Sequence, residues 1–226
     1  MLTLALDTSG DLCSVALFDG DQERATYTFR HERRLSERLP GIIEFVLEDG
    51  GSALREVEAL AVGLGPGSFT GVRIGVTMAK AFAWAMEKPL VGVSSLQAVA
   101  LPFFGLPRLV IATVTPTRRG EVVAAFYHGS DEDALAAPFD GPRVVAEIEV
   151  VSAASARFPG DSILVCGEAA AAVAAATPPG PTNVLARYAY SSAANIARLA
   201  APRLAQGEHD DAAALVPLYV TPTPVG

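Results

Sequence analysis

Apolar and polar positions alternate or cluster in a regular succession through the first hundred residues. LTLAL (2–6), CSVALF (13–18) and ATYTFR (25–30) each predict a strand. The short polar links DTSGDL and DGDQE between them predict antiparallel hairpins. Leu35, Leu39, Ile42, Ile43, Val46 and Leu47 then recur at helical spacing. Pro40 places the first helical turn at Ser36–Pro40, where a missing N–H costs little, and the glycines of EDGG end the helix. A buried strand at 59–64 (ALAVGL) follows, then a glycine-rich loop, a helix over about 70–86, a strand in KPLVGV (88–93) and a helix opened by the serines of SSLQAVAL. Three antiparallel strands feeding two strand–helix crossovers predict a mixed sheet covered by helices.

The second half repeats this theme more faintly. Residues 109–114 and 122–127 predict a hairpin, followed by a Pro/Gly/Asp-rich stretch (128–143), a strand at 163–166 (ILVC) and an alanine-rich helical segment at 168–176. TPPGP (177–181) reads as a loop, and 191–206 as a helix ended by Gly207. The pattern predicts an α/β protein of two lobes. The first takes residues 1–100. The second takes 101–226, with its C-terminal segment a candidate to return to the first.

The glycine loop AVGLGPGSFTGVRIG (61–75) joins a strand to a helix, the setting of an anion site at a helix N-terminus. Its spacing matches no standard phosphate motif. No lysine follows until Lys80, Thr70 stands where a dinucleotide fingerprint needs its third glycine, and Pro66 stands where a nucleophile elbow needs glycine. Phosphate binding therefore stays open, with Gly65, Gly67 and Ser68 in the loop and Asp7, Thr8 and Ser9 at the first hairpin as its candidate residues. Asp and Ser are equally ordinary turn residues. The helix after the loop carries a ridge of small residues, Gly71, Gly75, Ala79 and Ala83, which lets another element approach closely. Met78, Phe82 and Met86 make a second, apolar row, so the helix is apolar nearly all round apart from Arg73, Thr77 and Lys80. Such a helix fits either a protein–protein interface or burial among the chain's own helices.

Composition narrows the function classes. Half of the 226 residues are hydrophobic and the net charge is −8, a poor balance for gripping a nucleic-acid backbone unaided. The one dense basic stretch, RHERRLSER (30–38), is interrupted by Glu32 and Glu37 and reads as a solvated helix entry. Cys13 and Cys166 sit in apolar runs without metal spacing, which fits a reducing compartment. His31, His128 and His209 are isolated, so neither a metal site nor a Ser–His–Asp order is visible. MLTLALDTSG lacks a basic leader and meets Asp7 early, and no apolar run is long enough to span a bilayer, so a cytoplasmic protein is expected.

LALDTSGDLCSVAL, AVGLGPGSFTGVRIGVTMAKAFA and PLVGVSSLQA together resemble the TsaB (YeaZ) family, with HERRLSERLPGIIEFVLEDGG and the C-terminal LVPLYV as weaker matches. The resemblance implies an actin-like, two-lobed ATPase fold of the sugar-kinase/Hsp70/actin superfamily. It also implies a non-catalytic partner of TsaD that, with TsaD and a TsaE-like ATPase, makes threonylcarbamoyladenosine beside the tRNA anticodon. TsaD, the catalytic paralogue, carries a metal-binding histidine pair in its first lobe, which this chain lacks. The resemblance puts the partner interface on first-lobe helices, here Leu39, Ile42, Ile43, Val46, Gly71, Arg73, Gly75, Met78, Ala79 and Phe82. It implies a homodimer when the chain is alone, at most indirect contact with tRNA, no membrane association, no catalytic or metal residues, and ATP or ADP with magnesium only within the complex. Two departures stand out. Pro116 and Val123 replace the family's aspartate and tyrosine in PTRRGEVV, and Thr221 replaces an arginine in PLYVT. Both changes remove polar groups from the second lobe. The competing reading is a small-molecule kinase or ATPase of the same superfold. A glycoprotease, the family's old label, finds no nucleophile, metal pair or carboxylate dyad here.

Overall fold

Thr3 to Asp7 face Phe18 back to Ser14 across an antiparallel ladder, and the same strand pairs in parallel with Ala59–Val62 on its other side. That arrangement makes the first strand the centre of a five-stranded sheet. The computed structural model describes residues 1–30, 34–129, 137–180 and 182–220. His31–Arg33 of the basic stretch, 130–136 of the polar stretch, Pro181 of TPPGP and Thr221 lie outside the described residues.

The chain divides into two compact units, Met1–Ala98 with Ser191–Leu218, and Val99–Tyr190 with the residues after Leu218. In the first unit, strands β1 (Leu2–Asp7), β2 (Leu12–Asp19), β3 (Gln22–Arg30), β4 (Ala59–Gly63) and β5 (Leu90–Val93) lie in the order β3-β2-β1-β4-β5. Helix α1 (Leu35–Asp49) bridges β3 and β4, and α2 (Phe69–Met86) bridges β4 and β5. Both cover one face of the sheet, where Leu4, Leu6, Val15, Leu17, Leu60 and Val62 meet Leu39, Ile43, Val46, Val72 and Val76. The other face carries the small side chains Ala5, Ser14, Ala16 and Ala61. It is covered by α6 (Ala193–Ala205), which lies on β1, β2, β4 and β5. The six apolar positions read for α1 are all buried, as a helical stripe over a sheet requires. The helix begins at Leu35, however, so Pro40 sits in its second turn on the exposed side rather than in the first.

The second unit repeats the wiring. Strands β6 (Leu109–Pro116) and β7 (Glu121–His128) form the expected hairpin, β8 (Asp140–Ala146) extends it, and β9 (Ser162–Gly167) and β10 (Val184–Arg187) pair in parallel beyond β6. The order β10-β9-β6-β7-β8 is the first sheet's order read from the other edge. Helices α4 (Val150–Arg157) and α5 (Ala170–Ala176) occupy the crossovers, and α3 (Ser95–Ala100) begins in the first unit and ends in the second. Three elements were not legible in the sequence. β8 is interrupted by Gly141–Pro142 and β10 has four residues; both are edge strands, which need little alternation. The third, α4, is mostly Ala, Ser and Val and shows only a faint stripe.

Candidate functional site: the β1 tip and the α1–α2 face

The end of β1 gathers most of the polar residues singled out in the sequence. Asp7, Thr8 and Ser9 are all buried, Asp7 completely. One Asp7 oxygen accepts from the Ser9 N–H (2.9 Å) and the Ser9 hydroxyl (2.7 Å). The other accepts from the hydroxyls of Ser95 (2.8 Å), at the start of α3, and Ser191 (2.7 Å), just before α6. Burial pushes the Asp7 carboxyl above its ordinary value, and the hydrogen bonds from Ser9, Ser191 and Ser95 oppose that rise. Ser14, opposite Asp7 on β2, accepts the N–H of Ala193 at 2.6 Å. Ser95 also takes the N–H of Gly65 (3.1 Å) and gives its own N–H to the Gly65 carbonyl (2.9 Å). Sequence reasoning had Ser95 only as a helix opener and missed Ser14 and Ser191. Serines dispersed over 177 positions (191 − 14) carry no local spacing that could join them.

The glycine loop lies directly on this tip. A β-carbon on Gly63 would run into the Asp7 carboxylate, one on Gly67 into the Ser9 carbonyl, one on Gly71 into the Thr8 carbonyl and one on Gly75 into the Thr8 hydroxyl. Only glycine permits so close an approach. The Ser68 N–H donates to the Ser9 carbonyl (2.6 Å), the Ser68 hydroxyl caps α2 through the Gly71 N–H (3.2 Å), and the Thr8 hydroxyl donates to the Gly71 carbonyl (2.7 Å). An anion site at a helix N-terminus needs unspent N–H groups. Here the Gly71 N–H is taken by the Ser68 hydroxyl and the Ser68 N–H by the Ser9 carbonyl. The residues proposed for a phosphate or magnesium, Asp7, Thr8, Ser9, Gly65, Gly67 and Ser68, come together as expected. They also bond and pack against one another.

The same geometry corrects the reading of α2. Its ridge of Gly71, Gly75, Ala79 and Ala83 turns inward onto β1, β4 and the β1 tip. Leu39, Ile42, Ile43 and Val46 of α1 likewise point into the core. Small or apolar periodicity marks a face in close contact; it does not say with what. The surface actually presented is another set. Phe69 is 58% exposed and Trp84 84% exposed, with Thr70, Arg73, Thr77 and Ala81 between them and Ile74, Met78 and Phe82 half-buried along the α1 side. Arg73 lies over the Phe69 ring at 3.7 Å. A groove of about 480 Å³ runs along this face from Ser36 past Phe69, Arg73, Ile74 and Met78. A second, of about 400 Å³, lies between α1 and Phe82. Of the predicted interface residues, Arg73, Met78 and Phe82 line these grooves directly, and Ile43 closes the floor of the second. Lys80 is held inside the unit by the carbonyls of Ala213 (3.1 Å) and Leu215 (2.8 Å).

Two five-stranded mixed sheets wired alike and flanked by helices define an α/β protein of the actin-like ATPase class. The family model described as "TsaD: tRNA N6-adenosine threonylcarbamoyltransferase" matches residues 30–222. The protein named "tRNA threonylcarbamoyladenosine biosynthesis protein TsaB" from Escherichia coli is 36% identical over 149 residues, 61% of this chain and 63% of that one. Its Bacillus subtilis namesake is 37% identical over 130 residues, 56% and 55% of the two chains. These matches thus span less than two thirds of the curated relatives' length. The solved structure of YeaZ from Pseudomonas aeruginosa superposes with a TM-score of 0.80 at 27% identity, covering 97% of this chain and 99% of that one. The chain belongs to the TsaB (YeaZ) family, within the wider grouping that the TsaD model describes. Among the described residues, no helix is long and apolar enough to cross a membrane.

Proposed function

We propose that this chain is a non-catalytic scaffold in the bacterial, cytoplasmic machinery that makes tRNA threonylcarbamoyladenosine. It pairs with a TsaD-like paralogue and, with a TsaE-like ATPase, supports transfer of the threonylcarbamoyl group to the adenosine next to the anticodon. The relatives' names supply the pathway. The observation that carries the scaffold role is the outer face of α2, where exposed Phe69 and Trp84 flank Thr70, Arg73, Thr77 and Ala81 and an apolar groove runs along the α1 side. Exposed aromatic residues beside an apolar groove are what a partner helix seats against. The spent hydrogen bonds at Asp7–Ser9 favour the scaffold over the kinase or ATPase reading, so nucleotide and magnesium are assigned to the partners. The acidic net charge leaves tRNA to the partners as well. Alone, the same strip would pair two copies of the chain.

The test is co-expression with the TsaD-like protein of the same organism. Wild type is expected to copurify at near-equal amounts and to be required for modification of added tRNA. Ala81→Arg and Phe69→Glu, both at exposed positions, should keep the melting curve and lower association at least tenfold. Unchanged copurification of both folded variants sinks the assigned face. Magnesium-dependent ATP turnover by the purified chain alone sinks the scaffold role.

A further inference from the structure

We propose that the open edge of the second unit's sheet, β10, is a docking site for an extended acidic peptide segment of a partner protein, taken up as an added strand. β10 is the outermost strand, paired on one side only, to β9. The Ile163 N–H donates to the Asn183 carbonyl at 2.9 Å, and Val184 stands beside Ile163 in the parallel register. That register turns the backbone of Asn183, Leu185 and Arg187 toward β9 and the N–H and C=O groups of Val184 and Ala186 outward.

Sheet edges are normally blunted, because a bare row of backbone donors and acceptors recruits other chains. The other three edges here are blunted visibly. β5 is covered by Asp210, whose N–H donates to the Leu90 carbonyl (2.8 Å) and whose carboxylate takes the Gly92 N–H (2.7 Å). β8 carries Pro142, and β3 carries exposed Glu23, Arg24 and Arg30. Among the described residues no segment covers β10, Val-Leu-Ala-Arg; it is short and ends in the charge of Arg187, but it holds no proline, and its Leu185 is 54% exposed.

Beside this edge lies a groove of about 600 Å³ in the same unit. Its wall includes Phe103, Leu106, Leu164 and Leu185 with two cations, Arg108 and Arg187, and among the described residues no carboxylate lines it. Arg187 lies over the Phe103 ring at 5.7 Å. Arg108 is tethered more loosely, with Asp161 at 3.6 Å and the Gly160 carbonyl at 3.5 Å. On a chain of net charge −8 this is a local reversal of sign. It selects the occupant. A second copy pairing edge to edge would bring a second positively charged edge against this one. An extended segment with carboxylates toward the arginines and apolar side chains toward Leu164 and Leu185 is complementary to both features.

The probes are two fluorescein-labelled eight-residue peptides, Thr-Val-Thr-Glu and Thr-Val-Thr-Lys each repeated twice, which set the apolar and the charged side chain on one face as Leu185 and Arg187 are set; each is titrated against the full chain by fluorescence anisotropy. The glutamate peptide should bind at least tenfold more tightly than the lysine peptide, and added salt should weaken it. Arg187→Glu should remove the preference. Ala186→Pro deletes only an outward donor at a position where an edge strand tolerates proline, so the fold should persist and binding should fall at least tenfold. Should that variant fail to fold, N-methylation of alternate peptide amides tests the same hydrogen bonds from the ligand side, and one of the two methylated registers must lose binding. Ala81→Arg on α2 should leave binding unchanged. Equal binding of the two peptides, or indifference to the Ala186→Pro or N-methyl changes, overturns the proposal. So does a dimer seen by light scattering that Ala186→Pro dissolves, since the edge would then be closed by self-pairing.

Discussion

At the scale of single residues, the tip of β1 holds the two sharpest consequences of the structure. Gly75 packs its backbone on the Thr8 hydroxyl. Replacing it with alanine gains about 1 kcal/mol of helix propensity and loses about 1–3 kcal/mol to overpacking, so the clash should win by about 1 kcal/mol in urea unfolding. In a Thr8→Ala background the obstructing oxygen is gone and the next nearest Thr8 atom is the β-carbon, at 3.4 Å. There the sign should reverse, with Gly75→Ala neutral or stabilising. Gly71→Ala is the control, because it meets the Thr8 backbone carbonyl, which no side-chain change removes. If Gly75→Ala costs the same in both backgrounds, the contact is misassigned. Asp7 supplies a pH dependence. Its carboxyl titrates above the ordinary value of 3.8 because burial disfavours the charge. The folded state therefore holds the proton more tightly than the unfolded chain. The contribution to stability is fully present below pH 3.8 and is lost as pH rises through the folded-state value. Asn fits the same four contacts, its oxygen accepting from Ser9 and its amide donating to Ser95 and Ser191. Asp7→Asn should flatten that part of the stability–pH curve without unfolding the protein. Asp7→Ala strands three buried serines and should cost at least about 2 kcal/mol.

At the scale of elements, the succession of strands and helices in residues 1–100 was legible because each element pairs a period with a punctuating glycine, proline or polar turn. Its partners were less so. The stripe of α1 and the ridge of α2 announced buried faces, and both turned out to be buried on their own sheet rather than on a partner. Period 3.6 tells which residues leave water, and a sheet surface and a second protein remove water equally well. The glycine loop had the same ambiguity. It was spaced for close approach, and close approach to a phosphate and to the Ser9 carbonyl require the same missing β-carbon. Ser14 and Ser191, and the link from Ser95 to Asp7, were invisible because these serines lie on segments separate from Asp7 and from one another. One expectation follows for α2. Leucine at Gly75 distinguishes a ridge that faces a partner from one that faces the chain's own sheet. With the ridge against Thr8, that substitution should unfold the first unit in thermal melts, whereas Ala81→Arg on the outer face should leave the melt within about 0.5 kcal/mol. A folded Gly75→Leu chain would mean that the ridge faces outward after all.

At the scale of the whole molecule, the first unit depends on a segment nearly a hundred residues downstream of its own last strand. Residues 191–218 return to cover the α6 side of its sheet, and two carboxylates tie them there. Asp7 takes the Ser191 hydroxyl at one end. Asp210, further along, is paired with Arg203 (2.8 Å) and with the Gly92 N–H. The two respond to acid with opposite signs. Burial raises Asp7. Burial also works against the Asp210 charge, but the Arg203 guanidinium and the Gly92 N–H outweigh it and hold Asp210 below the ordinary carboxylate range. The stabilisation from Asp210 is present above pH 3.8 and is lost as pH falls through its folded-state value, while that from Asp7 grows on the same descent. Acid should therefore loosen the segment from its far end while the start of α6 stays seated. Hydrogen exchange compared at pH 5 and pH 3, after correction for intrinsic rates, measures this directly. The N–H groups of Asp210 and Leu218, bonded to Leu90 and Leu64, should lose protection at the lower pH. The Ala193 N–H, bonded to Ser14, should keep its protection. Asp210→Asn should show the loosened pattern already at pH 5. Loss of protection at Ala193 together with Asp210 would mean that the segment leaves the sheet as one piece, and that the opposed titrations of its two anchors do not govern how it opens.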